Sequence, residues 1–165
     1  MATTYNTIKL KKYQDIIEEY AAASVITPGN LIELTSSGTV QNHSTEGGNA
    51  LPMFALEDEL QGRGIEDDYA AADKVQCWVA QPGEIVYARL ADGESVAPGD
   101  FLESAGGGTL KKHTATTLSS DPSETIYTKN IVGVALESRE LDSLSGGGGD
   151  SSLAENSQYI KVRIV

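Results

Sequence analysis

Two stretches decide the fold: Ile26–Ser44, ITPGNLIELTSSGTVQNHS, and Val96–Thr114, VAPGDFLESAGGGTLKKHT. The second lies seventy residues after the first and aligns with it without a gap. Pro28-Gly29 falls on Pro98-Gly99, Glu33 on Glu103, Gly38-Thr39 on Gly108-Thr109, and His43 on His113. The apolar register agrees as well, with Ile26 on Val96, Leu31 on Phe101, Ile32 on Leu102 and Val40 on Leu110. Proline fixes φ and the glycine after it accepts a positive φ, so Pro-Gly suits the centre of a type II turn. The apolar residues that follow enter a sheet, and Gly38 or Gly108 then reverses the chain into a second strand. Each copy is expected to be one hairpin unit, and the two are expected to pack together. Two units are too few for a solenoid, which needs about three or more. Pro-Gly hairpins are common in β proteins, so shared local chemistry without duplication is the competing reading.

Further short strands flank the two units. Met53 to Leu56 forms an apolar run, and Val75, Cys77 and Val79 alternate onto one face. Gln81-Pro82-Gly83-Glu84 repeats the turn chemistry and leads into Ile85–Leu90. Ile131, Val132, Val134 and Leu136 surround Gly133, a pattern that fits a bulge or a close backbone approach. Ile160, Val162 and Ile164 alternate with polar residues in a half-buried terminal strand. Glu57–Asp68 reads as a long surface loop, and Ala115–Thr125 as a polar one. Residues 142–157 are rich in Gly and Ser and are expected to form a flexible loop. The expected architecture is therefore all-β: one β-barrel or β-sandwich domain over 24–165, preceded by an arm or short amphipathic segment at 1–23.

That first segment is ambiguous. Tyr13, Ile16, Ile17 and Tyr20 are at helical spacing, and Ala21–Ala23 are good helix formers. Yet Lys9, Lys11 and Lys12 precede the segment while Glu18 and Glu19 lie near its end, an order that opposes the helix dipole. A short helix is expected, with an extended arm as the alternative. In either form its apolar side chains are not claimed by the β core.

Composition narrows the function. The chain has 165 residues, one domain's length, and a formal net charge of −12. Such a surface repels nucleic acid and anionic membranes. A single Cys77 excludes an intrachain disulfide and fits a reducing compartment. No signal-peptide h-region or membrane-length apolar run is present, so synthesis in a cytosol is expected. His43 and His113 lack the neighbouring ligands of a metal site and read as hairpin-end side chains. Cys77 sits in an apolar alternation and reads as a buried structural thiol. Glu57-Asp58-Glu59 and Glu66-Asp67-Asp68 lack calcium-loop spacing and read as solvated faces. Glu33 and Glu103 read as outward-facing strand positions. Neither a phosphate loop nor a nucleophile elbow occurs. No catalytic residue, metal or cofactor is expected, and the chain is not read as an enzyme.

The order of motifs resembles the head decoration (capsid cement) proteins of tailed bacteriophages. The matching stretches are TIKLKKYQDIIEEYAAA, the run from Val25 to Ile65, DKVQCWVAQPGEIVYARLADGESVAPGDFLES, GTLKKH and IVGVALE. They cover most of the chain outside its two Gly/Ser-rich loops, and the combination carries more than any single motif. One departure is Ala72, where the pattern leads one to expect glycine before Asp73. The resemblance implies a virion protein on the outer capsid surface, made in the bacterial cytoplasm, often trimeric, with the major capsid protein as partner. Tyr5, Leu10, Tyr13, Ile16, Ile17 and Tyr20 are the candidate anchors for docking on the capsid or a neighbouring subunit, with packing of the same residues on the chain's own sheet as the equal alternative. A virion-surface carbohydrate- or host-binding β module is the alternative.

Overall fold

The computed structural model describes residues 5–115, 128–141 and 158–165. The loop expected at 142–157 and nearly all of that at 115–125 lie outside them. The strands are β1 (Lys9–Lys11), β2 (Ile17–Ala21), β3 (Ile32–Leu34), β4 (Val40–Asn42), β5 (Met53–Ala55), β6 (Lys74–Val79), β7 (Ile85–Arg89), β8 (Ser95–Val96), β9 (Phe101–Gly106), β10 (Thr109–Lys112), β11 (Ile131–Ala135), β12 (Arg139–Glu140) and β13 (Tyr159–Ile164). The only helical element among the described residues is a 3-10 turn at Glu59–Gln61. The chain is all-β.

The two aligned stretches are hairpins with one register. In the first, Ile32 stands opposite Asn42, Glu33 opposite Gln41 and Leu34 opposite Val40. In the second, Leu102 stands opposite Lys112, Glu103 opposite Lys111 and Ser104 opposite Leu110. Each pair maps onto its counterpart seventy residues on. The Pro-Gly glycines adopt the positive φ that proline-led turns need: 84° at Gly29 and 96° at Gly99.

The likeness continues beyond the hairpins. The Ala55 N–H donates to the Asn30 carbonyl as that of Ala135 does to Asp100, so β5 corresponds to β11. Ala55 stands opposite Cys77 and Ala135 opposite Val162, so β6 corresponds to β13. Ile17, opposite Trp78, then corresponds to Ile85, opposite Arg163, and β2 to β7. The second copy forms a continuous run β7-β13-β11-β9-β10, with β1 added outside β7. The first follows the same order, but its sheet is broken into β2-β6-β5 and β3-β4, joined by the Leu31–Phe54 bridge. The expected barrel does not form. The ends of each run meet only at a single parallel bridge, Ala22 to Val40 or Leu90 to Leu110.

Two cores result. The smaller, with Ile26, Ile32, Val40, Met53, Tyr69, Val75 and Cys77, lies within the first copy. The larger joins Phe54 and Trp78 of the first copy to Val86, Tyr87, Tyr159 and Ile160 of the second, a sandwich-like packing. β6 is therefore buried on both faces, because Trp78 faces one core while Val75 and Cys77 face the other. Complete burial of a side chain such as Phe54 contributes about 1.5–3 kcal/mol. The Trp78 indole N–H has no acceptor among the described residues, which offsets about 1–3 kcal/mol of its own burial. The copies are stitched directly. The Tyr159 hydroxyl reaches the Pro28 carbonyl at 2.9 Å and the Ile65 carbonyl at 2.7 Å, and the Leu31 N–H donates to the Gly108 carbonyl at 2.8 Å.

The helix expected near Tyr13–Tyr20 is instead a turn leading into β2. Helical spacing was present in the sequence, but its charges opposed the dipole. Ladder bonds to β6 satisfy the inward-facing backbone groups of that stretch with no such penalty.

Candidate docking surface

The chain from Tyr5 to Ala21 threads across both copies. Tyr5 packs edge-on against Tyr87, with ring centroids 5.3 Å apart, and the Lys161 ammonium sits 5.6 Å from its ring centre. Ile8 is fully buried, and its N–H donates to Glu57 Oε2 at 3.1 Å. Glu57 is buried with it, which corrects the expectation of a solvated acidic face there. β1 then lies along β7, and Leu10 rests half-buried against the larger core.

The chain next leaves the sheet, and Glu84 catches it. This carboxylate is fully buried. Its Oε1 accepts from the N–H groups of Tyr13 at 2.6 Å and Gln14 at 3.0 Å, and its Oε2 from Gln81 N–H at 2.6 Å. Burial alone would raise the carboxyl pKa. The backbone donors at Gln81, Gln14 and Tyr13 outweigh it and hold the group below the ordinary carboxylate range. Sequence reading missed this anchor. A signal existed: an acid at the fourth position of the turn closes Gln81–Glu84 as Asp100 closes the turn from Ala97, whose N–H it accepts at 2.9 Å.

Clamping by Glu84 presents Tyr13 to solvent at 67% exposure, beneath the Lys11 ammonium. Ile16 and Ile17 follow at 39% and 38%. The Ile16 carbonyl accepts from Val79 N–H, which fixes the strip to β6. Tyr20 turns back, half-buried on the smaller core, and its hydroxyl donates to Glu18. The structure thus divides the sequence-selected residues. Tyr5, Leu10 and Tyr20 pack on their own sheets, whereas Tyr13, Ile16 and Ile17 form an exposed apolar strip. Near its start Asp15 pairs with Lys12 and Lys9, and the Lys12 hydrogen bond chiefly lowers the Asp15 pKa.

The paired Glu and His positions are structural, though not in the way expected. Glu103 is buried rather than outward-facing, and meets His113 Nδ1 at 2.6 Å, Asn130 at 3.2 Å and Lys111 at 3.4 Å. Glu33 accepts from Gln41 at 2.8 Å and from the Ser44 hydroxyl at 2.8 Å. Burial raises the Glu33 pKa, and those donors bring it below the usual value. His43 is buried between the copies, with Nδ1 2.8 Å from the Ser104 hydroxyl and Nε2 donating to the Asn49 carbonyl at 3.0 Å. Cys77 is fully buried, and burial pushes its thiol pKa up to about 12.

No family model matches the chain, and neither does any curated protein. Solved structures do match, among them the N base of the head fiber protein gp8.5 of bacteriophage phi29. The chain is similar to it in fold. The TM-score is 0.52 at 14% sequence identity, and the alignment covers 92% of this chain and 95% of that one. Such coverage takes in both copies of the internal repeat.

Proposed function

We propose that this chain is a structural virion protein of a tailed bacteriophage. It binds the outer capsid surface and stabilises the lattice of major capsid protein as a homotrimer, after synthesis in the host cytoplasm. The observation that carries this reading is the fold shared with a phage head-fiber base along nearly the whole of both chains. The resemblance of its motifs to head decoration proteins points the same way. A net charge of −12 disfavours the DNA-facing side of a shell and suits the outside. The strip of Tyr13, Ile16 and Ile17 supplies the apolar and aromatic anchors that a docking surface uses, and the reading includes no catalytic step.

Co-sedimentation with undecorated, expanded capsids tests it. Saturable binding at a fixed ratio to the major capsid protein is expected. The Tyr13→Ala/Ile16→Ala double variant should stay folded and lose at least tenfold in affinity, about 1.4 kcal/mol or more. Absence of binding by the folded native chain, to capsids competent for their own cement protein, overturns the reading.

A further inference from the structure

The internal repeat singles out one sheet edge. On the second copy the outer side of β7 is covered by Lys9-Leu10-Lys11. Lys9 stands opposite Val86, Lys11 opposite Ile85, and the Tyr87 N–H donates to the Ile8 carbonyl at 2.8 Å. On the first copy β2 is the counterpart of β7, and Glu19 stands where Tyr87 does. Ile16 and Ala22 bond inward, to Val79 and Asp73. Antiparallel pairing alternates, so Ile17, Glu19 and Ala21 turn their N–H and C=O groups outward. Among the described residues no strand pairs with that side of β2. Two other margins are turned back on the fold: the Ala23 N–H donates to the Val40 carbonyl on β4, and that of Ala91 to the Leu110 carbonyl on β10. The outer side of β1 is also unpaired among the described residues, but β1 is itself the basic strand, so it does not offer the acidic edge that β2 does.

We propose that the outer edge of β2 is a strand-addition site for an extended segment of a partner protein in which basic and apolar residues alternate. Charge selects the occupant. β2 carries Glu18 and Glu19, and the strand that fills the matching edge of β7 is the basic run Lys9-Leu10-Lys11. A second copy is the poorer fit. Pairing β2 with β2 brings Glu18 and Glu19 of both chains together, and like charges across a strand pair destabilise it. The chain's own basic strand is committed, because Ile8 is buried and bonded to Glu57.

Gln76, opposite Glu19, lines a cleft of about 460 Å3 with Thr7, Leu10, Leu56, Leu60, Glu57 and Glu59; no residue of β2 itself lines it. Lys9 and Lys12 also line it but are already paired with Asp15. In strand addition the main chain supplies affinity, and recesses for alternate side chains supply selectivity.

The test needs no capsid, so its outcome is independent of capsid binding. The full chain is titrated with a peptide of sequence YNTIKLKKY, the run at residues 5–13, while amide hydrogen exchange is followed by NMR. Saturable binding should slow exchange at Glu19 and Ala21 at least tenfold. A peptide with Glu in place of its three lysines should not do so. Glu19→Pro removes an outward N–H without touching the inward ladder and should abolish the protection. If that variant unfolds, the Glu18→Lys/Glu19→Lys variant should prefer the acidic peptide instead. Protection confined to other residues, or equal response to both peptides, overturns the proposal. So does protection of Glu19 and Ala21 in the free chain. In that case concentration dependence would identify a second copy as the occupant, and concentration independence a segment of the chain itself.

Discussion

Replacing Glu84 by glutamine tests whether one buried carboxylate presents the docking strip. Its oxygens accept three backbone N–H groups, from Tyr13 and Gln14 at one oxygen and Gln81 at the other. A glutamine offers a single oxygen. Its best arrangement keeps the Tyr13–Gln14 pair and sets an NH2 group against the Gln81 N–H, losing one charge-assisted bond and leaving a buried donor unpaired. That costs about 2–3 kcal/mol, and removal of all the bonds in Glu84→Ala roughly twice as much. Urea unfolding reads the loss as a lower midpoint at unchanged slope, and amide exchange at Tyr13 and Gln14 should quicken in parallel. The pH dependence has a definite sign. The folded-state pKa of Glu84 is depressed, so its stabilisation is complete above the unfolded carboxyl value of about 4.3 and is lost as pH falls through the folded value. The gap between native and Glu84→Gln proteins should be constant near neutrality and narrow below about pH 4. Equal stability of the two proteins at pH 7, with unchanged exchange at Tyr13 and Gln14, would refute the clamp.

Ala72 is the one non-glycine residue with positive φ among those described, at 72°. Ala72→Gly should relieve about 1–2 kcal/mol of left-handed strain against about 0.4–1 kcal/mol of added unfolded-state entropy. The net gain of about 0.5–1 kcal/mol is readable in urea, and a loss of stability would refute the assignment. Gly133→Ala should go the other way, because an added Cβ would lie 2.5 Å from Val162 Cγ1 and 2.6 Å from the Arg163 carbonyl oxygen. A stability lowered by about 1–3 kcal/mol, read as a lower urea midpoint, is expected from such overpacking, and an unchanged midpoint refutes the close approach. Cys77, buried with its thiol pKa near 12, should react with a disulfide reagent at pH 8 only at the rate of unfolding. Prompt reaction of the native chain would show the site to be open.

The sequence by itself determined the all-β class and the hairpin pair. Those rest on local chemistry: Pro-Gly turns, apolar alternation, and a register carried unchanged over seventy residues. Apolar alternation also marked Cys77 as a core thiol, while the expectation of glycine at Ala72 came from the resemblance to decoration proteins. Only the tertiary structure showed that the likeness runs on through β2 and β7, β5 and β11, and β6 and β13. Loops of unequal length separate those strands, and their side chains diverge because the copies face different surroundings. Met53 fills the smaller core where Gly133 admits the close approach of β13. The buried acids were mostly illegible: beyond the local turn contact of Glu84 with Gln81, the partners that hold Glu57, Glu84 and Glu103 include Ile8, Tyr13 and His113, which lie 49, 71 and 10 residues away in sequence. The N-terminal segment shows the division most plainly. Its side-chain spacing allowed a helix, but a strand's hydrogen bonds belong to its neighbour. The open edge of β6 made Ile17–Ala21 a strand and left Tyr13, Ile16 and Ile17 facing outward.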